Sequence, residues 1–245
     1  MRYSEAKVEI WGSDEYMIAP DAMATAYDGP RHLAVDLGAH VGTRSIWLAT
    51  DGGFKRVYAV EMQLDNFELL VKNIKRNGLQ GIITPIHVAV SDRAELITIK
   101  AGGVNKGQFS IAYDSLGFGT CETAMAVSLY ELLSGILTAE NADVIDFVKM
   151  DIEGSEYKVF ADRQRTRLAL NLFNDCVRFL FLERHGPNEQ YFTKRFFEEL
   201  GYDPKDPQKQ LLHTLRACGF SDVTENSIGQ LMMYNSAFTK ETKAA

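Results

Sequence analysis

Short apolar runs alternate with amphipathic segments along most of the chain, and this alternation predicts its secondary structure. The apolar runs predict strands at residues 33–36, 56–60, 83–90, 96–99, 144–150 and 177–183. The amphipathic segments predict helices at residues 43–50, 64–76, 128–133, 155–163, 190–200 and 208–218. Strands that alternate with helices are typical of a parallel sheet covered on both faces, so we expect a doubly wound α/β fold.

The two ends of the chain depart from this alternation. Residues 8–12 predict a short strand and residues 20–27 a short helix, and we expect both to belong to a cap over the edge of a ligand site. Near the other end, residues 223–224 and 231–234 predict an antiparallel pair of strands. These patterns divide the chain into a cap segment at 1–30, one α/β domain at 31–238 and a tail at 239–245.

Residues 102–123 have no clear periodicity, and they contain five glycines among several aromatic residues. A long irregular loop of this composition is commonly a substrate lid, so we expect a lid here. The alternative is a surface excursion without a function.

The composition is that of a soluble globular protein, with 46% hydrophobic and 24% charged residues. The net charge of −7 disfavours a bulk affinity for nucleic acid or for an anionic membrane. No apolar run approaches the roughly 18 residues of a membrane span. The three cysteines, Cys121, Cys176 and Cys218, lack metal-site spacing, so we expect reduced thiols in a cytoplasmic protein.

An acid and a glycine-rich turn follow the first strand of the regular region. The strand ends at Asp36, and Gly38 and Gly42 lie in the turn before a helix. Glycine leaves no Cβ between the backbone and a ligand. A dinucleotide fingerprint needs a further glycine where this chain has His40, so a pyrophosphate would be crowded there. The turn therefore favours S-adenosylmethionine, and Glu61 at the tip of the next strand is placed to bind its ribose diol.

A second group of charged residues follows the strand predicted at 144–150. Lys149, Asp151 and Glu153 alternate along the chain, so an extended backbone would turn them toward one cleft. A buried lysine is costly unless it is paired, so we expect Lys149 to contact one of these acids. If its partner is Glu153, those two residues are structural.

These two motifs resemble the FkbM family of S-adenosylmethionine-dependent methyltransferases. The family pattern Lys-x-Asp-x-Glu-Gly-x-Glu is matched at every fixed position by residues 149–156, and residues 35–42, 60–61 and 181–185 are also similar. The likeness covers about residues 33–234. It implies a class I methyltransferase (Rossmann-like) fold, a seven-stranded sheet with the last strand antiparallel. It also implies methyl transfer to an oxygen, usually a hydroxyl of a small natural product.

We expect the cofactor to contact residues of the glycine-rich turn and the strand ends: Asp36, Gly38, Ala39, His40, Gly42, Glu61, Met62, Ser91, Asp92 and Asp151. In this interpretation Gly38 and Gly42 hold the methionine end, and Ser91 or Asp92 binds the adenine edge. Asp36 orders the turn, and His40 caps it.

The residues expected to be catalytic are Asp151, Glu183 and His185. Asp151 would lie nearest the reactive methyl group and orient the acceptor. His185 is the expected base because its ordinary pKa suits proton transfer at neutral pH, and a structural loop histidine is the alternative. Together with Glu153 these residues could hold a divalent ion such as Mg²⁺. Their spacing matches no known metal motif, so we expect no metal.

The leading hypothesis is an O-methyltransferase that acts on a hydroxyl of a small molecule, most simply a sugar or a glycosylated natural product. One alternative is methylation of a macromolecule, RNA or protein, although the acidic balance disfavours nucleic acid. Another is a non-catalytic adenosyl-binding scaffold. A homodimer is left open.

Overall fold

The structure is a computed structural model that describes residues 6–9, 27–101, 109–110, 122–161, 166–185, 192–225 and 230–238. The helices within these ranges are α1 (Thr43–Ala49), α2 (Leu64–Arg76), α3 (Leu129–Glu140), α4 (Glu156–Val159), α5 (Arg167–Cys176), α6 (Lys194–Leu200) and α7 (Pro207–Ala217). The strands are β1 (Leu33–Leu37), β2 (Arg56–Glu61), β3 (Ile83–His87), β4 (Ala89–Ser91), β5 (Glu95–Ala101), β6 (Phe109–Ser110), β7 (Glu122–Ser128), β8 (Phe147–Met150), β9 (Phe179–Glu183), β10 (Phe220–Glu225) and β11 (Gln230–Asn235). None of the helices in these ranges has the length and apolar character of a membrane span.

One sheet of seven strands runs through the molecule, in the order β10-β11-β9-β8-β1-β2-β3. The five strands β9, β8, β1, β2 and β3 are parallel to one another. The last strand, β11, is antiparallel to both β9 and β10. This topology confirms the expected doubly wound sheet and the expected antiparallel last strand.

The register of the sheet aligns the carboxyl ends of four neighbouring strands. Leu37 of β1 lies opposite Val60 of β2 and Met150 of β8, and Met150 lies opposite Leu182 of β9. The residues that follow these positions therefore form one row at the edge of the sheet: Gly38, Glu61, Asp151 and Glu183. Ligands of open parallel sheets bind beyond this edge, so strand pairing brings together residues that are far apart in sequence.

Two apolar clusters cover the two faces of the sheet. Side chains alternate along β1, so Val35 faces the cluster that holds α3 and α5, whereas Ala34 faces the cluster that holds α1 and α2. Every residue of β1 and of β8 is buried. Burying one large aliphatic side chain stabilises a fold by about 1.5–3 kcal/mol, so these central strands hold the site edge rigidly.

Local sequence explains where two of the helices begin. The Gln63 side chain accepts a hydrogen bond from the Asn66 amide at the start of α2, whose bounds match the prediction. At the start of α3, the Ser128 and Glu131 side chains each accept a hydrogen bond from the other residue's backbone N–H, a capping box. This helix continues to Glu140, well beyond the predicted end at residue 133.

The single strand predicted at residues 83–90 is wrong. The strand β3 ends at His87 and pairs with β2, whereas β4 begins at Ala89 and pairs in parallel with β7. A second sheet of four strands results, in the order β4-β7-β5-β6. One continuous strand cannot serve both sheets, so the chain changes partner at Val88.

Two helix predictions between β8 and β9 also need correction. The helix expected at residues 155–163 is a single turn, α4, because residues 155–157 and 159–161 are buried and leave little of the exposed face of a longer amphipathic helix. The helix α5 was not predicted, although its buried residues Ala169 and Phe173 have helical spacing. The C-terminal pair, β10 and β11, is confirmed as antiparallel.

Several predicted segments lie largely or wholly outside the described residues. These are the helix at 20–27, the tail at 239–245 and most of the strand at 8–12 and of the lid at 102–123. Of the proposed lid, residues 109–110 and 122–123 belong to strands of the second sheet. Residues 6–9 run along α2, where the amides of Lys7 and Glu9 donate to Asn77 and Asn73.

Candidate active site

The glycine-rich turn between β1 and α1 is held against the end of β2. The amides of Gly38 and Ala39 both donate to the carbonyl of Val60, at 3.0 and 2.9 Å. Gly38 has a φ of +77°, and a Cβ there would lie 1.8 Å from the carbonyl oxygen of Asp151. Only glycine fits this close approach of two strand ends.

Glu61 joins this turn to the segment between β2 and α2. Its Oε2 accepts the amide of His40 at 2.9 Å, and its Oε1 accepts the amide of Gln63 at 2.9 Å. Burial raises the pKa of the Glu61 carboxyl, and these hydrogen bonds oppose the shift. The backbone N–H of His40, at a φ of +54°, therefore ties the turn to Glu61. Among the described residues the expected His40 cap is not found, since the N-cap of α1 is Gly42 and no side-chain cap hydrogen bond forms there. The imidazole of His40 is neutral, since burial and the charge of Lys149 lower its pKa to about 4.

Lys149 is a buried cation at the centre of the strand ends. Its Nζ donates to the carbonyl of Gly38 at 2.7 Å and lies 3.3 Å from carboxylate oxygens of both Asp36 and Asp151. Asp36 also accepts a 2.6 Å hydrogen bond from Ser45 Oγ. Burial alone would lower the pKa of Lys149, but the carboxylates raise it above its ordinary value. The lysine thus pairs with an acid, as expected, and its partners are Asp36 and Asp151.

His185 lies among three carboxylates beyond the end of β9. Its Nδ1 is 3.1 Å from Glu156 Oε1, and its Nε2 is 3.3 Å from Glu153 Oε2 and 3.8 Å from Asp151 Oδ1. Burial alone would lower the pKa of His185, but these carboxylates raise it well above its ordinary value. Burial also opposes ionisation of Asp151, yet Lys149 and His185 lower the pKa of that carboxyl.

A cavity of about 320 Å³ opens beside the row of strand ends. The expected site residues that line it are Gly38, Ala39, His40, Glu61, Met62, Asp151 and Glu183. Four others are not among its lining residues: Asp36, Gly42, Ser91 and Asp92. Next to Ser91 and Asp92 in the chain, the lining residues are Val88, Ala89 and Val90. His185 is also not a lining residue, since its imidazole lies behind Asp151 and Glu153.

The lining residues that were not identified from the sequence include Asn66, Arg44 and Gln230. Asn66, in the first turn of α2, is only 2% exposed, and its Oδ1 has no hydrogen-bond partner among the described residues. Arg44 lines the wall from α1, and Gln230 donates to Glu183 Oε2 at 2.8 Å. A polar side chain on the buried face of α2 was the available signal for Asn66, whereas Gln230 reaches the site through strand pairing alone.

Ligand atoms of Asp151, Glu183 and His185 all lie within 4.8 Å of one another, which is close enough to surround one divalent ion. Each of these side chains already has a partner in the protein. Asp151 contacts Lys149, Glu183 accepts from Gln230, and His185 contacts Glu156. This arrangement is that of a closed charge network and does not favour a metal.

Several solved structures resemble this chain in fold. Monomeric WbdD matches with a TM-score of 0.52 and 14% identity, over 94% of this chain and 46% of that chain. The METTL16 MTase domain matches with a TM-score of 0.46 and 14% identity, over 88% of this chain and 64% of that chain. Aeropyrum pernix fibrillarin in complex with natively bound S-adenosyl-L-methionine matches with a TM-score of 0.46 and 11% identity, over 87% of this chain and 71% of that chain. The chain therefore spans less than two thirds of the WbdD and METTL16 chains.

The sequence itself identifies the family. No curated protein matches the chain significantly. A family model described as the methyltransferase FkbM domain matches residues 36–221, a range that contains the glycine-rich turn, Glu61, Lys149 and the cluster around His185. The match covers well over half of the 245 residues. The chain thus belongs to the FkbM family of methyltransferases, whose methyl donor is S-adenosylmethionine.

Proposed function

We propose that this methyltransferase acts on a hydroxyl oxygen of a small, carbohydrate-like molecule. The observation that carries the proposal is that the carboxylates of Asp151 and Glu183 both line the cavity, as do Gly38 and Ala39 of the glycine-rich turn. Both carboxylates follow aligned strand ends, so they can contact one acceptor from two sides.

The residues around the cavity fit S-adenosylmethionine. A volume of about 320 Å³ lies within the range of small-molecule sites. Gly38 and Ala39 would lie along the methionine part, and Glu61 keeps lone pairs that can accept ribose hydroxyls. The buried Oδ1 of Asn66 offers an unused acceptor on the same wall. Val88 and its neighbours on β4 supply an apolar surface for the adenine.

When bound, the cofactor supplies a methyl group on a positively charged sulfur, already activated for transfer. The protein must align the oxygen of the acceptor hydroxyl with this methyl group and remove the proton of that hydroxyl. Asp151 remains ionised because Lys149 and His185 lower its pKa, so it serves as an acceptor of the hydroxyl's hydrogen bond and a neutraliser of positive charge.

We assign the removal of the proton to Glu183 rather than to His185. Glu183 lines the cavity, whereas His185 lies behind its wall. Burial and the charge of Asp151 raise the pKa of the Glu183 carboxyl, which makes it a better base near neutral pH. Glu183 would take the proton of the acceptor hydroxyl as its oxygen receives the methyl group that bound S-adenosylmethionine would supply, with S-adenosylhomocysteine as the other product.

The charge of the site favours a neutral acceptor with several hydroxyls. The described residues that line the cavity include four carboxylates, those of Glu61, Asp151, Glu153 and Glu183, against two cations, Arg44 and Lys149. This excess of negative charge and the net charge of −7 disfavour a phosphate-rich acceptor. Carboxylates beside the Gln230 amide are suited to adjacent hydroxyl groups, as in a sugar. These features support a small carbohydrate-like acceptor over RNA.

The test is methyl transfer from radiolabelled S-adenosylmethionine to a panel of acceptors. The panel contains methyl glycosides, a glycosylated macrolide, total RNA and a protein extract, and product mass locates the methyl group. Transfer to hydroxyls of the glycosides that is lost in Glu183→Gln supports the proposal. Labelling confined to RNA or protein would replace it with macromolecular methylation. Tight binding of S-adenosylhomocysteine without any transfer would favour the scaffold alternative.

A further inference from the structure

Both ring nitrogens of His185 face carboxylate oxygens. Glu156 Oε1 lies 3.1 Å from Nδ1, and Glu153 Oε2 lies 3.3 Å from Nε2. An ionised carboxylate only accepts hydrogen bonds, and a neutral imidazole has a single N–H. A neutral ring would therefore point one lone pair at a negative oxygen, whereas an imidazolium donates at both sides.

Glu156 gives this arrangement its rigidity. Its side chain is fully buried, and the same Oε1 that contacts His185 also accepts the amide of Ile152 at 3.1 Å. A fully buried carboxylate is costly unless a cation accompanies it. The next residue, Tyr157, donates its hydroxyl to the carbonyl of His185, so α4 holds both the ring and the backbone of this histidine.

The other groups around the ring also favour a cation. Among the contacts between described residues, the charged side chains around the ring are acidic apart from Lys149: Asp151, Glu153 and Glu156 from the turn after β8, and Glu183 from β9. Lys149 is 3.3 Å from Asp151 on the far side of that carboxylate. Phe192 packs with its ring centre 6.4 Å from that of His185 and adds no charge.

We propose that His185 is a positioning residue that stays protonated at neutral pH, whose imidazolium is anchored by Glu156 and orients the carboxylates of Asp151 and Glu153 toward the cavity. The inference rests on the proposed function in one respect, since it assumes that Asp151 contacts the acceptor. His185 then acts through Asp151 and touches neither cofactor nor acceptor. It is not the base that its residue type suggested.

The first test is nitrogen NMR of the ring at about pH 7.5, roughly one unit above the ordinary histidine pKa, where an unperturbed ring is mostly neutral. The chain has five histidines, and the His185→Asn spectrum identifies the signals of this one. We expect both ring nitrogens of His185 to be protonated. A ring with one protonated nitrogen at this pH would overturn the inference, and this readout needs no acceptor.

The second test asks whether charge or proton transfer matters for turnover. With the methyl glycoside acceptors, we expect His185→Asn to lower kcat by at least about tenfold, the size of a lost general electrostatic contribution. His185→Lys should recover part of that loss, because a lysine keeps the positive charge and cannot accept a proton. A kcat in His185→Lys no higher than in His185→Asn, with normal binding of S-adenosylhomocysteine in both variants, would contradict the cation role.

If these variants do not fold, the dependence of kcat on pH in the wild type distinguishes a cation from a base at His185. A positioning cation predicts that kcat falls at alkaline pH as His185 loses its proton, and that Glu156→Gln moves this fall to lower pH. A base at His185 predicts a rise over the same range. His213→Asn, the same change at an exposed histidine of α7, is the control and should leave the profile unchanged. Absence of any hydroxyl methylation would refute the proposed function while the NMR result still stands.

Discussion

Asp36 and Lys149 face each other across two central parallel strands, with 3.3 Å between the carboxylate Oδ1 and the ammonium Nζ. Both side chains are almost completely buried, at 0% and 4% exposure. Because each charge compensates the other, the pair fixes the ends of β1 and β8 at the point where the glycine-rich turn begins.

Removing the lysine should therefore destabilise the whole domain. We expect Lys149→Met to lower the free energy of unfolding by about 3–5 kcal/mol, because the buried Asp36 carboxylate loses its counter-charge. Urea denaturation followed by circular dichroism measures this change. Lys72→Met is the matched control, since Lys72 forms a 2.6 Å ion pair with Glu9 at the surface and should contribute about 1 kcal/mol or less. Equal losses in the two variants would refute the role of the buried pair.

The close approach at Gly38 predicts a loss of both stability and binding. In Gly38→Ala the new Cβ would meet the Asp151 carbonyl at 1.8 Å, so the two strand ends must separate. We expect affinity for S-adenosylhomocysteine, measured by calorimetry, to fall at least about tenfold, or about 1.4 kcal/mol.

The control for this variant is Gly78→Ala. Gly78 also has a positive φ, +67°, but a Cβ there would have no atom within 4 Å. This variant should lose only about 1–2 kcal/mol of stability, the cost of a left-handed backbone at a residue with a Cβ, and it should bind S-adenosylhomocysteine normally. A similar loss of binding in both variants would mean that backbone strain, and not the contact with Asp151, explains the effect.

Much of the sheet edge could be predicted because the apolar runs that end there are unambiguous. Asp36, Glu61, Asp151 and Glu183 each close or follow a run of buried residues, and parallel pairing places such ends together. The bounds of α2 were also predictable, since its buried face repeats at helical spacing.

The remaining features depend on contacts that no local pattern reports. The strand β7 alternates exposed and half-buried residues such as Thr123 and Ala124, which is a weak strand signal, and its pairing with β4 moves Ser91 away from the cavity. His185 was recognisable as a functional candidate. Its protonation state, however, follows from Glu153 and Glu156, which reach the ring only because the turn after β8 folds back on β9.

Asn66 should contribute to cofactor binding. Its buried Oδ1 has no partner among the described residues, and it lies on the cavity wall beside Glu61. We expect Asn66→Leu, which approximately preserves the shape of the side chain, to weaken the binding of S-adenosylhomocysteine by about 1–3 kcal/mol, the cost of leaving a buried polar group without its hydrogen bond. Val71→Thr, at an exposed position of the same helix, is the control. Unchanged affinity in Asn66→Leu would place this side chain outside the binding site.

The protonated His185 should make stability depend on pH. Below about pH 6.5, the ring carries a proton in both folded and unfolded chains, so its attraction to Glu156 contributes fully. Between that value and the raised pKa in the folded state, only the folded chain keeps the proton. The free energy of unfolding should therefore fall as pH rises, by at most about 1.4 kcal/mol per pH unit for one group. Urea midpoints measured across this range should fall more steeply for the wild type than for His185→Asn.

The same charge state predicts that the enzyme needs no divalent ion. A metal beside Asp151 and Glu183 would need a lone pair on His185 Nε2, and an imidazolium has none. We expect treatment with EDTA to leave methyl transfer to glycosides unchanged, and millimolar Mg²⁺ or Mn²⁺ to leave the thermal midpoint unchanged at neutral pH. A thermal shift with Mn²⁺ that disappears in His185→Asn would show that the ion displaces the proton. In that case Glu156 orients a metal ligand and the charge network is a metal site.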